Sequence, residues 1–218
     1  MTAVAQRREI RPWWDPPPIW SVPREWAGER AFVICGGASV KAQRHLVPQL
    51  KGRVVAVKEG VLLRPDADVL FFAGEKPTVI APPLLPLFTG TYIVVRGKGH
   101  PVFPVTAKRV WRTATHDAWS TDPTMVAGYD AGTSAINLAM LFGATEIIVL
   151  GWDMGGGRWF AGEHPHPLPV IPESHFQAHL KPLANLASDA LAKGVRVVNV
   201  SPISRVPVFE RQPLEAFL

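Results

Sequence analysis

Arg30-Ala31-Phe32-Val33-Ile34-Cys35-Gly36-Gly37-Ala38-Ser39 is the stretch on which the fold turns. Ala31 to Cys35 is a short continuous apolar run, the pattern of a strand buried on both faces and not of one with a wet side. Two adjacent glycines end it. Val40 to Leu50 then places Val40, Leu46, Val47 and Leu50 at helical spacing, so the unit reads strand, tight turn, helix.

The same logic repeats outward. Lys51-Gly52 is a turn into a second buried strand, Arg53 to Val57. Asp68 to Phe72 and Tyr92 to Val95 are predicted as the third and fourth strands, and Val102 to Trp111 as a short irregular hairpin or edge. In the second half, Gly132-Thr133-Ser134 opens an apolar helix, Ala135 to Phe142, stopped by Gly143. Glu146 to Leu150 is the clearest strand of all. Leu183 to Lys193 is an amphipathic helix closed by Gly194, and Val195 to Val200 is the last strand. Apolar strands alternating with helices predict βαβ units. The expected class is therefore α/β and Rossmann-like, a mostly parallel sheet with right-handed crossovers and helices on both faces.

Residues 1–29 stand apart as an irregular Pro/Trp-rich leader, and residues 30–218 are expected to form one nucleotide-binding domain. Trp13-Trp14-Asp15-Pro16-Pro17-Pro18-Ile19-Trp20, followed by Trp26, cannot be a regular helix, because proline removes a donor and clashes with the preceding turn. The leader is expected to strap across the body on its tryptophans; an aromatic patch facing a peptide or glycan is the alternative. Cys35 is the one cysteine, which excludes an intramolecular disulfide and a cysteine zinc site and leaves a small buried thiol. Met1 to Arg11 has no apolar core after its basic residues, so no secretory signal is expected. The longest apolar stretch, Ala135 to Gly151, is interrupted by Asn137, Gly143, Thr145 and Glu146, which argues against a membrane span. A cytoplasmic setting follows from these features as an expectation. The net charge of +5 favours anionic partners such as nucleotides, nucleic acid and phosphorylated glycans. The basic residues are scattered, however, and no nucleic-acid-binding motif is present.

In open parallel sheets ligands sit beyond the carboxyl ends of the strands, so three loops carry the candidate chemistry. In Gly36-Gly37-Ala38-Ser39 the glycines allow close backbone approach, and Ser39 is expected to cap the next helix with N–H groups aimed at an anion. It is neither a GxGxxG fingerprint nor a P-loop, and a plain strand-to-helix turn is the alternative. Tyr129-Asp130-Ala131-Gly132-Thr133-Ser134 offers a second such helix start, or an ordinary N-cap on Thr133 or Ser134. The third loop holds Asp153, as loop-fixing acceptor or ligand contact, and His164 and His166 beside Glu163. Imidazole suits acid–base work near neutral pH; a surface role and a metal site with Asp153 and Glu163 are the other readings. His175 and His179, four apart, share one face if their segment is helical.

On these residues the chain resembles the bacterial sialyltransferases that build lipooligosaccharide: Cys35 to Ser39 after a strand, Gly132-Thr133-Ser134 opening an apolar helix, and Ile147 to Asp153. The order and spacing are similar also to archaeal-type 6-hydroxymethylpterin diphosphokinases and flagellar motility accessory factors. The likeness is greatest to phage-borne relatives with a Pro-rich Trp leader and the ending Asn199-Val200-Ser201-Pro202-Ile203-Ser204. The resemblance spans Ala31 to Phe209. It implies a nucleotide-sugar donor, CMP-linked in the sialyltransferases, held by Gly36, Gly37, Ala38 and Ser39 and by Gly132, Thr133 and Ser134. It implies His164, or else His166 or His175, as the base that deprotonates an acceptor hydroxyl, and no metal cofactor. Lys58-Glu59 stands where the family offers an asparagine to the nucleotide, so Lys58 is expected to meet phosphate instead. The acceptor is a glycan or modified DNA. Two other activities are open: a magnesium-dependent phosphotransferase or diphosphokinase using Asp130 or Asp153, and a non-catalytic phage accessory binding protein.

Overall fold

The structure, a computed structural model, describes residues 10–12, 18–73, 88–95, 102–104, 106–161 and 170–218. The strands are β1 (Ile10–Pro12), β2 (Arg30–Ile34), β3 (Arg53–Val57), β4 (Val69–Phe72), β5 (Thr91–Val95), β6 (Val102–Pro104), β7 (Lys108–Arg112), β8 (Met125–Val126), β9 (Glu146–Leu150), β10 (Arg196–Asn199) and β11 (Glu210–Arg211). The helices are α1 (Val40–Gln43), α2 (Ala131–Phe142), α3 (Glu173–Leu180) and α4 (Leu183–Ala192).

Nine strands form one parallel sheet in the order β11-β10-β9-β2-β3-β4-β5-β7-β8. The chain enters the main sheet at β2, runs outward through β3, β4, β5, β7 and β8, and then returns to the other side of β2 with β9. Strand order therefore reverses between β2 and β9, which run in register from Arg30 opposite Glu146 to Ile34 opposite Leu150. The fold is α/β and Rossmann-like.

Both faces of the sheet are buried, which is why the strands read as unbroken apolar runs. Val33, Val55, Phe71, Ile93 and Val149 face one core with Ile136 and Leu138 of α2 and Leu183, Leu186 and Ala190 of α4. Phe32, Ile34, Val54, Leu70, Phe72, Ile148 and Leu150 face the other, against Val40, Val47, Leu50, Val61, Leu214 and Phe217. That second cover is made of short pieces. The single helix expected over Val40 to Leu50 is instead α1 followed by a 3-10 turn at Val47–Gln49. Pro48 has no N–H to give and disfavours a helical conformation at Val47, so the α-helix stops while the apolar spacing still buries Val40, Val47 and Leu50.

A second expectation is corrected as well. Val102 to Trp111 is not a hairpin: β6 pairs antiparallel with β1 in a separate two-stranded sheet, while β7 joins the main sheet parallel to β5. A continuous apolar β5 supplies the partner edge that β7 occupies. The short strand β11 is also added beyond β10.

At the amino ends of the strands the charges are paired. Glu146 binds Arg30 at 2.5 Å and Arg196 at 2.6 Å, Arg196 reaches Glu210 at 2.7 Å, and Arg53 spans Glu29 at 2.9 Å and Asp68 at 3.1 Å. The described part of the leader runs over the α2 side. Trp20 N donates to Arg109 O, Val22 N to Pro123 O and Trp26 N to Phe142 O. The rings of Trp26 and Phe142 stack with centroids 4.1 Å apart, and Trp26 is 2% exposed. Trp13 and Trp14 lie outside the described residues. Among the described residues no helix is long and apolar enough to cross a membrane. Because Trp26 is a core residue by burial, Trp26→Ala is expected to cost about 3–5 kcal/mol in urea unfolding with little change in slope. A loss under about 1 kcal/mol would show that the leader is dispensable to the core.

Candidate functional site

The turn after β2 lies where strand order reverses, and it is closed on itself. Gly37 N donates to Gly151 O at 2.9 Å. A Cβ on Gly37 would fall 2.4 Å from Gly151 O and 2.6 Å from Asp153 Oδ2, so only glycine fits there. Asp153, 3% exposed, accepts from Ser39 N at 2.8 Å and from Ser39 Oγ at 2.5 Å. Ser39 thus donates to a cap and does not act as one, contrary to expectation. Its amide is spent on Asp153 and is not presented to an anion. Trp159 N donates to Gly36 O, Gly37 bridges Arg158, and a Cβ on Gly36 would lie 3.1 Å from Phe160 Cε1. The loop after β9 therefore packs onto Gly36, Gly37, Ala38 and Ser39, with Trp159 and Phe160 buried.

That loop is held from its other side by the chain end. Trp152 N donates to Ser201 Oγ at 2.9 Å, Ser204 Oγ donates to Trp152 O at 2.6 Å, and Arg205 N donates to Asp153 O at 2.8 Å. Asn199 joins them through Ser204 Oγ at 2.8 Å. Asn199, Ser201 and Ser204 form a clamp on Gly151 to Asp153 and are buried because each finds a partner.

A second constellation assembles at the carboxyl ends of β3 and β7 and the start of α2. Lys58 leaves β3 with φ 51°, in the left-handed region that costs a side-chain-bearing residue about 1–3 kcal/mol. The 3-10 turn Lys58–Leu62 that imposes it is tucked under β2, where a Cβ on Gly60 would lie 2.6 Å from Ile34 O. Lys58 is half-buried and Glu59 is 5% exposed. Burial draws the Lys58 ammonium below the ordinary lysine range; Glu59 and Asp130 resist that fall, while Arg158 and Arg112 add to it.

Arg112 closes β7. Its Nη2 donates to Ser134 Oγ at 3.3 Å and its Nη1 to Tyr129 O at 3.4 Å, while its Nε is buried with no hydrogen-bond partner among the described residues. Burial lowers this guanidinium and Asp130 opposes the shift. The N-cap of α2 is Asp130, not Thr133 or Ser134. Its carboxylate accepts from Thr133 N at 3.0 Å and from Thr133 Oγ1, and Ser134 Oγ donates to Gly128 O. A Cβ on Gly132 would meet Cys35 Sγ at 2.9 Å and Trp152 Cδ1 at 3.2 Å, so the first turn of α2 sits directly on the end of β2. Trp152 Nε1 is also buried without a partner among the described residues. Burial first, then Asp130 and Asp153, push the Cys35 thiol up, which leaves it inert.

Histidines gather beside this cluster. His175 and His179 do share a face of α3, with ring centroids 4.1 Å apart. His179 stacks on Tyr129 at 5.9 Å and 8°, and Tyr129 meets His116 at 4.1 Å. Four rings thus run in a row from His116 through Tyr129 and His179 to His175. Burial, with His175, Arg112 and His116, holds His179 below the ordinary imidazole range against the pull of Asp130. His116 is lowered by burial and Arg112, with Asp117 opposing, and its Nδ1 is buried without a partner among the described residues. Glu163, His164 and His166 lie outside the described residues. His116 and Arg112 carried no signal of their own in the sequence, since their place depends on β7 joining the sheet.

No protein-family model matches the chain, and no curated protein does. Among solved structures, the MAf glycosyltransferase from Magnetospirillum magneticum AMB-1 is similar over 92% of this chain, with a TM-score of 0.53 and 12% identity. The chain spans 36% of that protein's length. At that identity the likeness establishes a shared fold.

The two halves of the carboxyl edge differ in what they can do. Over β2 and β9, Gly37 N, the Ser39 amide and hydroxyl and the Asp153 carboxylate are bonded to one another's loops, while Trp152 Nε1 and Trp159 Nε1 are buried without a partner among the described residues. Over β3, β7 and α2, half-buried cations and unpartnered N–H groups converge. Asp130 and Asp153, the carboxylates considered for magnesium, each serve a helix start, and no group of three or more metal-ligating side chains is placed to hold an ion among the described residues. Asp153→Asn places an amide N–H₂ where one carboxylate oxygen accepted. A loss of about 1–3 kcal/mol in chemical denaturation is expected, because a buried donor loses its acceptor. An unchanged midpoint would contradict the lock described for the β2 turn.

Proposed function

We propose that this chain binds a nucleotide-activated sugar at the cluster of Lys58, Arg112, Arg158 and the first turn of α2, and transfers the sugar to a hydroxyl acceptor. One observation carries the reading. Lys58 is held half-buried in a strained conformation, its charge disfavoured by burial and by Arg158 and Arg112 and favoured by Glu59 and Asp130. Gathering like charges out of water is costly unless an anion completes the set. A phosphate group does that beside the first turn of α2, at the positive end of that helix's dipole. The unpartnered N–H groups of Arg112 and Trp152 beside that turn suit the oxygens of a nucleotide. The structural likeness to a protein named as a glycosyltransferase supports a sugar as the transferred group.

In this reading the site departs from the expected one. Gly132, Thr133 and Ser134 remain part of it, and Lys58 with Glu59 becomes its centre. Gly36 to Ser39 serve to hold the β9 loop, with Gly37 N and the Ser39 amide and hydroxyl already bonded. Lys58, Arg112 and the positive end of the α2 dipole stabilise the negative charge that grows on the departing phosphate. The acceptor's proton goes to His164 or His166, which follow β9 in sequence.

A thermal-shift and calorimetry panel of CMP, UDP, GDP and ATP and their sugar derivatives tests the proposal. At least one nucleotide sugar is expected to raise the melting temperature by linkage. Lys58→Ala and Arg112→Ala are each expected to weaken its binding by roughly 10- to 100-fold, the scale of a charged hydrogen bond. Binding of ATP that strengthens with magnesium and is not shared by any sugar nucleotide would replace transfer of a sugar with transfer of a phosphoryl group. No response to any member of the panel overturns the reading.

A further inference from the structure

The row His116–Tyr129–His179–His175 has no part in the site so far, yet it shares a residue with it. Arg112 donates through one end of its guanidinium to Ser134 Oγ, at the start of α2, and through the other to Tyr129 O, in the middle of the row. The charged groups facing the row come from every neighbouring element. Arg112 arrives from β7, Asp117 from the loop after it, Asp130 from the N-cap of α2, and the three imidazoles from that same loop and from α3. Lys58 and Arg158 stand behind Arg112. His116 Nδ1, buried and unpartnered, is a nitrogen that gains nothing from its present surroundings among the described residues.

We propose that anion binding at the Lys58–Arg112 cluster is coupled to proton uptake by His116 and His179, so that the site binds its nucleotide more tightly as the solution becomes mildly acidic. The proposal rests on the reading of that cluster as the nucleotide site. Without an anion, burial and Arg112 draw both imidazoles below their ordinary range, with Asp117 opposing at His116 and Asp130 at His179. An anion beside Arg112 and Lys58 offsets the share of that lowering that comes from Arg112 and adds a partner for the imidazolium. Protons then move from solvent onto His116 and His179. No other bond forms or breaks. Linkage makes the effect reciprocal: if the anion favours protonation, protonation favours the anion to the same degree.

The sign follows directly. In the empty protein the two imidazoles have folded-state values below 6.5, so the unfolded chain binds more protons as the pH falls past that value, and stability present above it is lost on acidification. In the bound protein that loss is offset, because the charged form now has a partner.

The experiment is isothermal titration of the full chain with whichever of CMP, UDP and GDP binds in the panel above, in buffers of differing ionisation enthalpy. The proton exchange of the free nucleotide's own phosphate is subtracted. Between about pH 8 and about pH 6, affinity is expected to rise about tenfold, with net uptake approaching one proton near neutrality. The double variant His116→Gln, His179→Gln is expected to keep its affinity at about pH 8 within roughly threefold and to lose most of the rise. Affinity that is flat with pH and accompanied by no proton uptake overturns the coupling while leaving the nucleotide site in place. Uptake that persists undiminished in the double variant also overturns it. Absence of binding by all three nucleotides at every pH overturns the coupling and the site together. If the double variant fails to fold, uptake by the unaltered protein still decides the matter.

Discussion

Asp153 lies between the ends of two strands that meet at the reversal of sheet order, and its two oxygens both belong to Ser39. The pair joins residues 114 positions apart in a sheet whose neighbouring strands, β2 and β9, are in register along their whole length. Gly37 is what makes the approach feasible, since any side chain there would collide with the carboxylate. With the β9 loop held in this way, Trp152 is pinned between the Ser201–Ser204 clamp and Gly132. Gly132 is the first turn of α2, so the position of that turn depends on a bond formed on the far side of β2. Asp130, Thr133 and Ser134 follow from it, and with them the groups that meet Arg112.

The distribution of charge completes the division of labour. At the amino ends of β2, β3, β9 and β10, arginines and carboxylates pair across neighbouring strands. Such partly exposed pairs each contribute modestly to stability. Their larger consequence is that this end of the sheet has little net charge to offer a ligand. Lys58 and Arg112 stand at the opposite end, where burial works against their charge. The cations at that end stand among carboxylates as well, with Glu59 and Asp130 opposing the fall of Lys58 and Asp130 that of Arg112.

The strands β2, β3, β4, β5, β9 and β10 were legible in the sequence because both faces of the sheet are covered there, so each appears as an apolar run with no alternation to decipher. The helix after β2 was half legible: spacing identified its buried side chains, and Pro48 alone marked the break that spacing could not express. The role of β7 was not legible, because Lys108 to Arg112 mixes charge with apolar residues and acquires its strand character from the edge of β5. With β7 misplaced, Arg112 and His116 had no reason to be singled out. Lys58 did stand out, as a charged residue where a neutral one was expected. The closure of the Gly36–Ser39 turn was hidden for a different reason: a glycine pair and a serine look the same whether their partner is a phosphate or a carboxylate supplied from a distant loop.

That last ambiguity decides where a ligand belongs. The amide and hydroxyl of Ser39 already bind Asp153, as those of Thr133 bind Asp130, so it is Lys58 and Arg112, and not either turn, that set the proposed anion site apart. The same electrostatic argument reaches the histidines. Each imidazole that borders Arg112 reports on whether the cations beside it are compensated, since its own protonation adds one more charge to the set. Electrostatic coupling between a phosphate site and a row of rings therefore needs no moving part. It requires only that the groups share Arg112 and that His116 and His179 be partly withdrawn from water, as they are.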